Sequence, residues 1–165
     1  MRRRPFLALA LLLAACGGNL LLAACGGGEP PPPPPPPTIV SLTLKADPDV
    51  NPDQGGAPKP IAVKVFELAS PASFMSADFF TLDADAEGTL GGDLVGQESF
   101  VLAPGGTEVF QRELKPITRF IGLAASYAQI DRAGWRAVIE PPQQQTSLLE
   151  GRLGARGLTL RTASP

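Results

Sequence analysis

Histidine is absent from the whole 165-residue chain. That absence removes Ser-His-Asp nucleophilic machinery and the commonest zinc ligand. Cysteine occurs only at Cys16 and Cys25, so nothing beyond them depends on an oxidising compartment. Aromatic residues make up 6% of the chain, and no basic patch interleaves with them, which argues against a nucleic-acid partner. No apolar run reaches the ~20 residues of a membrane-spanning helix, and no carboxylate pair stands out for acid–base work. Two acidic stretches approach a calcium loop without completing it. In Asp83-Ala84-Asp85-Ala86-Glu87-Gly88 the twelfth position is Leu94, where a bidentate Glu is needed. The alternating Asp47, Asp49, Asn51 and Asp53 place Pro52 at the sixth position and Pro58 at the twelfth. No metal, no cofactor and no enzymatic activity are expected.

What the chain does have begins at its front. Met1-Arg2-Arg3-Arg4, a short apolar run and Leu13-Ala14-Ala15-Cys16-Gly17 read as a signal peptide with a small-residue cleavage site. The Leu-Ala-Ala-Cys ending resembles a bacterial lipobox, in which the thiol is acylated and the leader is cut just before it. Leu11 to Gly18 reads LLLAACGG, and Leu20 to Gly27 repeats it letter for letter, a local tandem duplication. Either Cys16 or Cys25 is therefore the lipidation site. Cys16 follows an unbroken apolar run, whereas Cys25 gives a more usual leader length. Gly follows both cysteines; in bacteria that sort lipoproteins by this position, an Asp there would retain the protein in the inner membrane, so Gly favours the outer one.

Residues 1–25 thus form the leader and 26–37 a Gly/Pro-rich linker. Pro30 to Pro37 are eight consecutive prolines, expected as a polyproline II rod of about 25 Å. Residues 38–165 remain for one domain with a real core. Without Arg2, Arg3 and Arg4, the 14 basic residues fall to 11 against 16 acidic ones, a net charge of −5.

Period-two alternation dominates this domain. Val40, Leu42 and Leu44 alternate with Ser41, Thr43 and Lys45; Ile61, Val63 and Val65 alternate with Ala62, Lys64 and Phe66. Phe100 and Leu102 predict a third strand, and Pro104-Gly105-Gly106 a hairpin turn to a partner over 107–114. The longest strand is expected over 118–129, central in its sheet, with a turn at 131–134 leading into 135–139. Segments 148–153 and 158–161 predict a closing hairpin. Seven or eight short strands argue a mainly β, two-layer β-sandwich. Ser70-Pro71 predicts the cap and first position of a short helix, followed by an extended Phe79–Leu82 and a helical turn or loop to Asp93. The insertion is expected to bury Phe74, Phe79 and Phe80 across one end of the sandwich.

The connection from Ala46 to Lys59 is far longer than a hairpin needs, and long connections of this kind are often functional. Its prolines pre-order it, which reduces the entropy lost when it docks. Asp47, Asp49, Val50, Asn51, Pro52, Asp53, Gln54, Gly55 and Gly56 are the candidate partner-binding residues.

The run from Asn51 to Leu68, NPDQGGAPKPIAVKVFEL, resembles the N-P-D, G-x-P-x-P, apolar-strand signature of the TssJ family, the outer-membrane lipoproteins of type VI secretion. Phe74 with Ala77 to Leu82, Leu90 to Leu94, Leu102 to Gly105, and Ala124 to Arg136 resemble further family motifs in the same order. The duplicated lipobox, the octaproline and Phe66 in place of a more usual Tyr depart from the pattern. The resemblance implies a transthyretin-like sandwich held by N-acyl diacylglycerol lipid to the outer membrane, facing the periplasm. It further implies binding to the periplasmic C-terminal region of TssM through the loop between the first two strands, with TssL joined indirectly through the complex. A reading of another class is a sandwich lipoprotein binding a small ligand or cell-wall glycan, with Trp135 and Tyr127 stacking on a sugar ring. Replacing both Cys16 and Cys25 by Ser is expected to leave a soluble periplasmic protein and abolish secretion. Detergent phase partitioning with a secretion assay checks this, and the single replacements show which thiol is used.

Overall fold

The alternating segments become the strands of two sheets in a computed structural model that describes residues 32–163. Cys16 and Cys25 lie outside the described residues. β1 (Ile39–Ala46) turns Val40, Leu42 and Leu44 inward, and β2 (Ile61–Leu68) does the same with Ile61, Val63 and Val65. The remaining strands are β3 (Leu94–Leu102), β4 (Thr107–Glu113), β5 (Phe120–Ala125), β6 (Arg136–Ile139), β7 (Thr146–Leu153) and β8 (Leu158–Thr162). One sheet has the order β4-β1-β7-β8 and the other β3-β2-β5-β6. The β1–β7 pair is parallel and the other pairs are antiparallel. The expected two-layer β-sandwich is what the chain forms.

The turn at 104–106 forms, but it does not close a hairpin. Gly106 N–H donates to the Ala103 carbonyl at 2.8 Å, and the chain then crosses to the other sheet. There β4 pairs with β1, Leu42 opposite Phe110, and not with β3. Crossing the layers lets Phe100 and Phe110 meet edge to face, centroids 6.3 Å apart, inside the sandwich. The strand expected over 118–129 is central but short. Thr118 N–H closes a turn onto the Lys115 carbonyl at 2.9 Å, and Asn51 captures Ala128 N–H at the other end. The longest strand is instead β3, at nine residues.

The insertion is more helical than expected. α1 (Ala72–Ser76) has Pro71 at its N-cap position, while the Ser70 hydroxyl accepts from Ala72 N–H at 3.2 Å. Phe79–Leu82 is not extended: α2 (Phe79–Ala84) starts there because the Asp78 carboxylate caps Thr81 N–H at 3.0 Å. α3 (Ala86–Leu90) is capped in the same way by Asp85, and a 3-10 turn, Gly91–Asp93, leads into β3. These helices lie on the outer face of the β2–β5 sheet rather than across an end of the sandwich. Phe74, Leu82, Ala86 and Leu90 form a second apolar cluster with Phe66, Leu68 and Ala124. Gly122 makes room for it, since a Cβ there would sit 3.1 Å from both Leu68 and Phe74. Of the three phenylalanines, Phe74 is fully buried, Phe79 is half-buried and Phe80 is 67% exposed. No helix among the described residues is long and apolar enough to cross a membrane.

One charge lies between the layers. Glu67 on β2 is buried and receives Arg112 Nη1 from β4 of the opposite sheet at 3.0 Å. Arg112 also reaches Glu98 on β3, and Thr118 Oγ1 donates to Glu67 at 3.3 Å. On the solvent face, Lys45 and Arg161 flank Glu150 at 2.8 and 2.6 Å and hold its carboxyl down at about 2. Arg112→Ala strands the Glu67 carboxylate and is expected to cost about 1–3 kcal/mol. Lys45→Ala, on the solvent face and with Arg161 still paired to Glu150, is expected to cost much less. Urea unfolding of the two variants checks the ranking.

Candidate functional site

The connection between β1 and β2 is an ordered structure with a buried base and an exposed tip. Asp47 closes the base: its N–H donates to the Leu153 carbonyl at 2.9 Å, and its own carbonyl accepts from Val50 at 3.1 Å and Gly105 at 3.3 Å. The Asp47 carboxylate takes Arg152 Nε at 2.8 Å, which raises the guanidinium further above its ordinary range. Val50 is fully buried in the core between the sheets. Asn51 is buried with φ 48°, the left-handed region that Asn tolerates better than most residues. Its Nδ2 donates to the Pro60 carbonyl at 3.0 Å and its Oδ1 accepts Ala128 N–H at 2.7 Å. Lys59 N–H donates to the Val50 carbonyl at 3.2 Å, so the two ends of the loop are tied together.

The tip is organised by Asp53. Its Oδ1 accepts Gly55 N–H at 2.9 Å and Ala57 N–H at 3.0 Å, and Lys59 Nζ lies 3.3 Å from Oδ2. These donors, the Ala57 amide above all and then Lys59, hold the carboxyl below the ordinary Asp value. Gly56 takes φ 84°, a conformation the turn needs and glycine supplies without strain. The nine candidate residues therefore divide. Asp47, Val50 and Asn51 build the loop, Pro52 and Asp53 are half-buried, and Asp49, Gln54, Gly55 and Gly56 are exposed together with residues 57–60. Replacing residues 49–56 by a short turn would remove a core side chain, Val50, and both side-chain hydrogen bonds of Asn51.

Tyr127 and Trp135 do not form a sugar platform. Tyr127 is buried, and burial followed by the nearby Asp47 charge pushes its hydroxyl above the ordinary range. Trp135 is half-buried, edge-on to Phe79 at 5.3 Å and covered by the Arg136 guanidinium at 4.6 Å. Among the described residues no group of three or more His, Cys, Asp or Glu side chains could hold a metal ion. Sequence reasoning missed the groove beside the loop, of about 600 Å³, where Gln54 and Phe80 meet residues 128–132. Its only sequence signal was that Phe80 belongs to an apolar cluster, which reads more simply as core.

The sandwich thus presents an ordered loop whose tip, from Gln54 to Pro60, is exposed. The chain belongs to the family described as "Type VI secretion lipoprotein, VasD, EvfM, TssJ, VC_A0113", the TssJ-type lipoproteins of the type VI secretion membrane complex, whose model matches residues 38–156. The T6SS lipoprotein TssJ1 from Pseudomonas aeruginosa is 40% identical with a TM-score of 0.76, covering 79% of this chain and 99% of that one. Serratia marcescens Lip, a membrane-bound component of the type VI secretion system, is 32% identical with a TM-score of 0.70, covering 78% and 98%. A chain of the structure described as the T6SS protein TssM C-terminal domain from EAEC is 26% identical with a TM-score of 0.62, covering 76% and 98%. No curated protein sequence matches the chain.

Asn51→Ala is expected to lower stability by about 1–3 kcal/mol, from two lost hydrogen bonds and a strained φ. Asn51→Gly should cost less, because it keeps the backbone conformation. Thermal unfolding of both variants, with hydrogen exchange at Ala128, tests that order.

Proposed function

We propose that this lipoprotein is a non-enzymatic structural subunit that holds the periplasmic C-terminal region of TssM at the outer membrane. Acyl chains on Cys16 or Cys25 anchor it to the inner leaflet, and TssL joins indirectly through the assembled complex. The observation that carries this reading is the ordered 47–60 loop, with its tip over 54–60 exposed, on a sandwich of the type VI secretion lipoprotein family. A loop already tied at both ends loses little entropy when a partner covers it. The likeness to a chain in a structure of the TssM C-terminal domain supports TssM as that partner. Lipid tethering adds to the affinity by keeping the loop at high local concentration near the membrane.

Asp49→Lys combined with Ala57→Arg puts two bulky cations on the exposed loop and leaves its internal hydrogen bonds in place. The double variant is expected to bind the TssM periplasmic region at least tenfold more weakly, with an unchanged melting temperature. Wild-type affinity in a calorimetric titration would sink the assignment of this loop.

A further inference from the structure

One wall of the groove beside the loop is Phe80, on a helix with polar contacts at both ends. Phe80 is 67% exposed, yet its ring is held edge-on by Phe79 at 5.5 Å, and Phe79 in turn by Trp135 at 5.3 Å. Arg136 closes this aromatic ladder over Trp135, and its Nη1 donates to the Phe74 carbonyl at 3.0 Å and the Ala77 carbonyl at 2.7 Å. Asp78 caps the helix that carries Phe80, and Lys64 binds Asp83 at its far end at 2.7 Å. An isolated exposed apolar residue is ordinary. An exposed aromatic ring stacked edge-on against a half-buried neighbour, beside a groove, resembles the aromatic anchors enriched in protein interfaces.

The opposite wall is the turn after β5. Gln129 and Ile130 are half-buried, and Asp131 and Arg132 present one charge of each sign to solvent. Gln54, from the tip of the β1–β2 loop, lines the same groove and makes it continuous with the exposed loop surface. Asn51 ties the loop to this turn, since its Oδ1 accepts from Ala128 N–H.

We propose that this groove is the second half of the docking surface. In it Phe80 packs against an aliphatic or aromatic side chain of the partner that the loop takes, while Asp131 and Arg132 pair with flanking charged or amide groups. The inference rests on the TssM reading above and extends it to residues outside the loop.

The test compares variants of the full-length, detergent-solubilised lipoprotein in titration against the TssM periplasmic region. Phe80→Ser and Arg132→Glu are each expected to weaken binding at least tenfold. Ile117→Ser, at an equally exposed apolar residue in the β4–β5 turn at the other end of the sandwich, should bind as wild type. Loss of binding in the loop double variant with both groove variants within twofold of wild type overturns this proposal alone. Wild-type binding by loop and groove variants alike overturns both halves of the docking surface, and only failure of the unaltered lipoprotein to bind the TssM periplasmic region overturns the TssM reading itself. If Phe80→Ser unfolds, the Arg132→Glu result decides, because that side chain is exposed.

Discussion

The side-chain amide of Asn51 joins the two ends of its own loop to a turn 77 residues further on. It donates to the last carbonyl before β2, accepts from the turn after β5, and sits at the turning point of the loop that leaves β1. Buried amides are costly unless satisfied, so this group is stable only when all three segments are in place. That constraint converts a proline-rich connection into a fixed surface. It also sets the spacing between the loop tip and the groove wall. Val50 reinforces it from below, as a core side chain that the loop itself contributes.

The sandwich behind the loop is held in two different ways. Between the sheets most contacts are apolar and non-directional, and they would tolerate some sliding of one layer over the other. The Glu67–Arg112 pair adds direction, because it joins β2 of one sheet to β4 of the other. On the far side of the β2–β5 sheet, the helical insertion covers apolar residues that would otherwise face water. The result is a third layer over part of the molecule, and the same layer carries Phe80 to the rim.

Much of this was legible from residue order alone. Alternation over 39–46 and 61–68 marked the strands because one face of each is buried, and Ser70-Pro71 marked the first helix. The ordered motifs pointed to the family before any geometry was known. Strand partnership was harder. A Pro-Gly-Gly turn says that the chain reverses, but not which sheet receives it, and the choice here is settled by β1, more than 60 residues earlier in the chain. Phe79-Phe80-Thr81-Leu82 has strand-like composition, and the Asp78 cap outweighs it. The loop was recognisable by its length and prolines. Val50 and Asn51 gave no local sign of their structural role, since their partners lie at the core and at residue 128.

The parallel pairing of β1 with β7, alongside its antiparallel pairing with β4, has a mechanical consequence. β1 leaves the proline segment at Thr38 and delivers the chain to the loop at Asp47, with hydrogen-bonded neighbours along both edges. Tension applied between a membrane tether and a load gripped at that loop would run along this single strand. Its eight residues, about 26 Å, are already fully extended. Such a strand has no slack to release, so the pull loads its hydrogen bonds to β4 and β7 in shear and is shared along both edges.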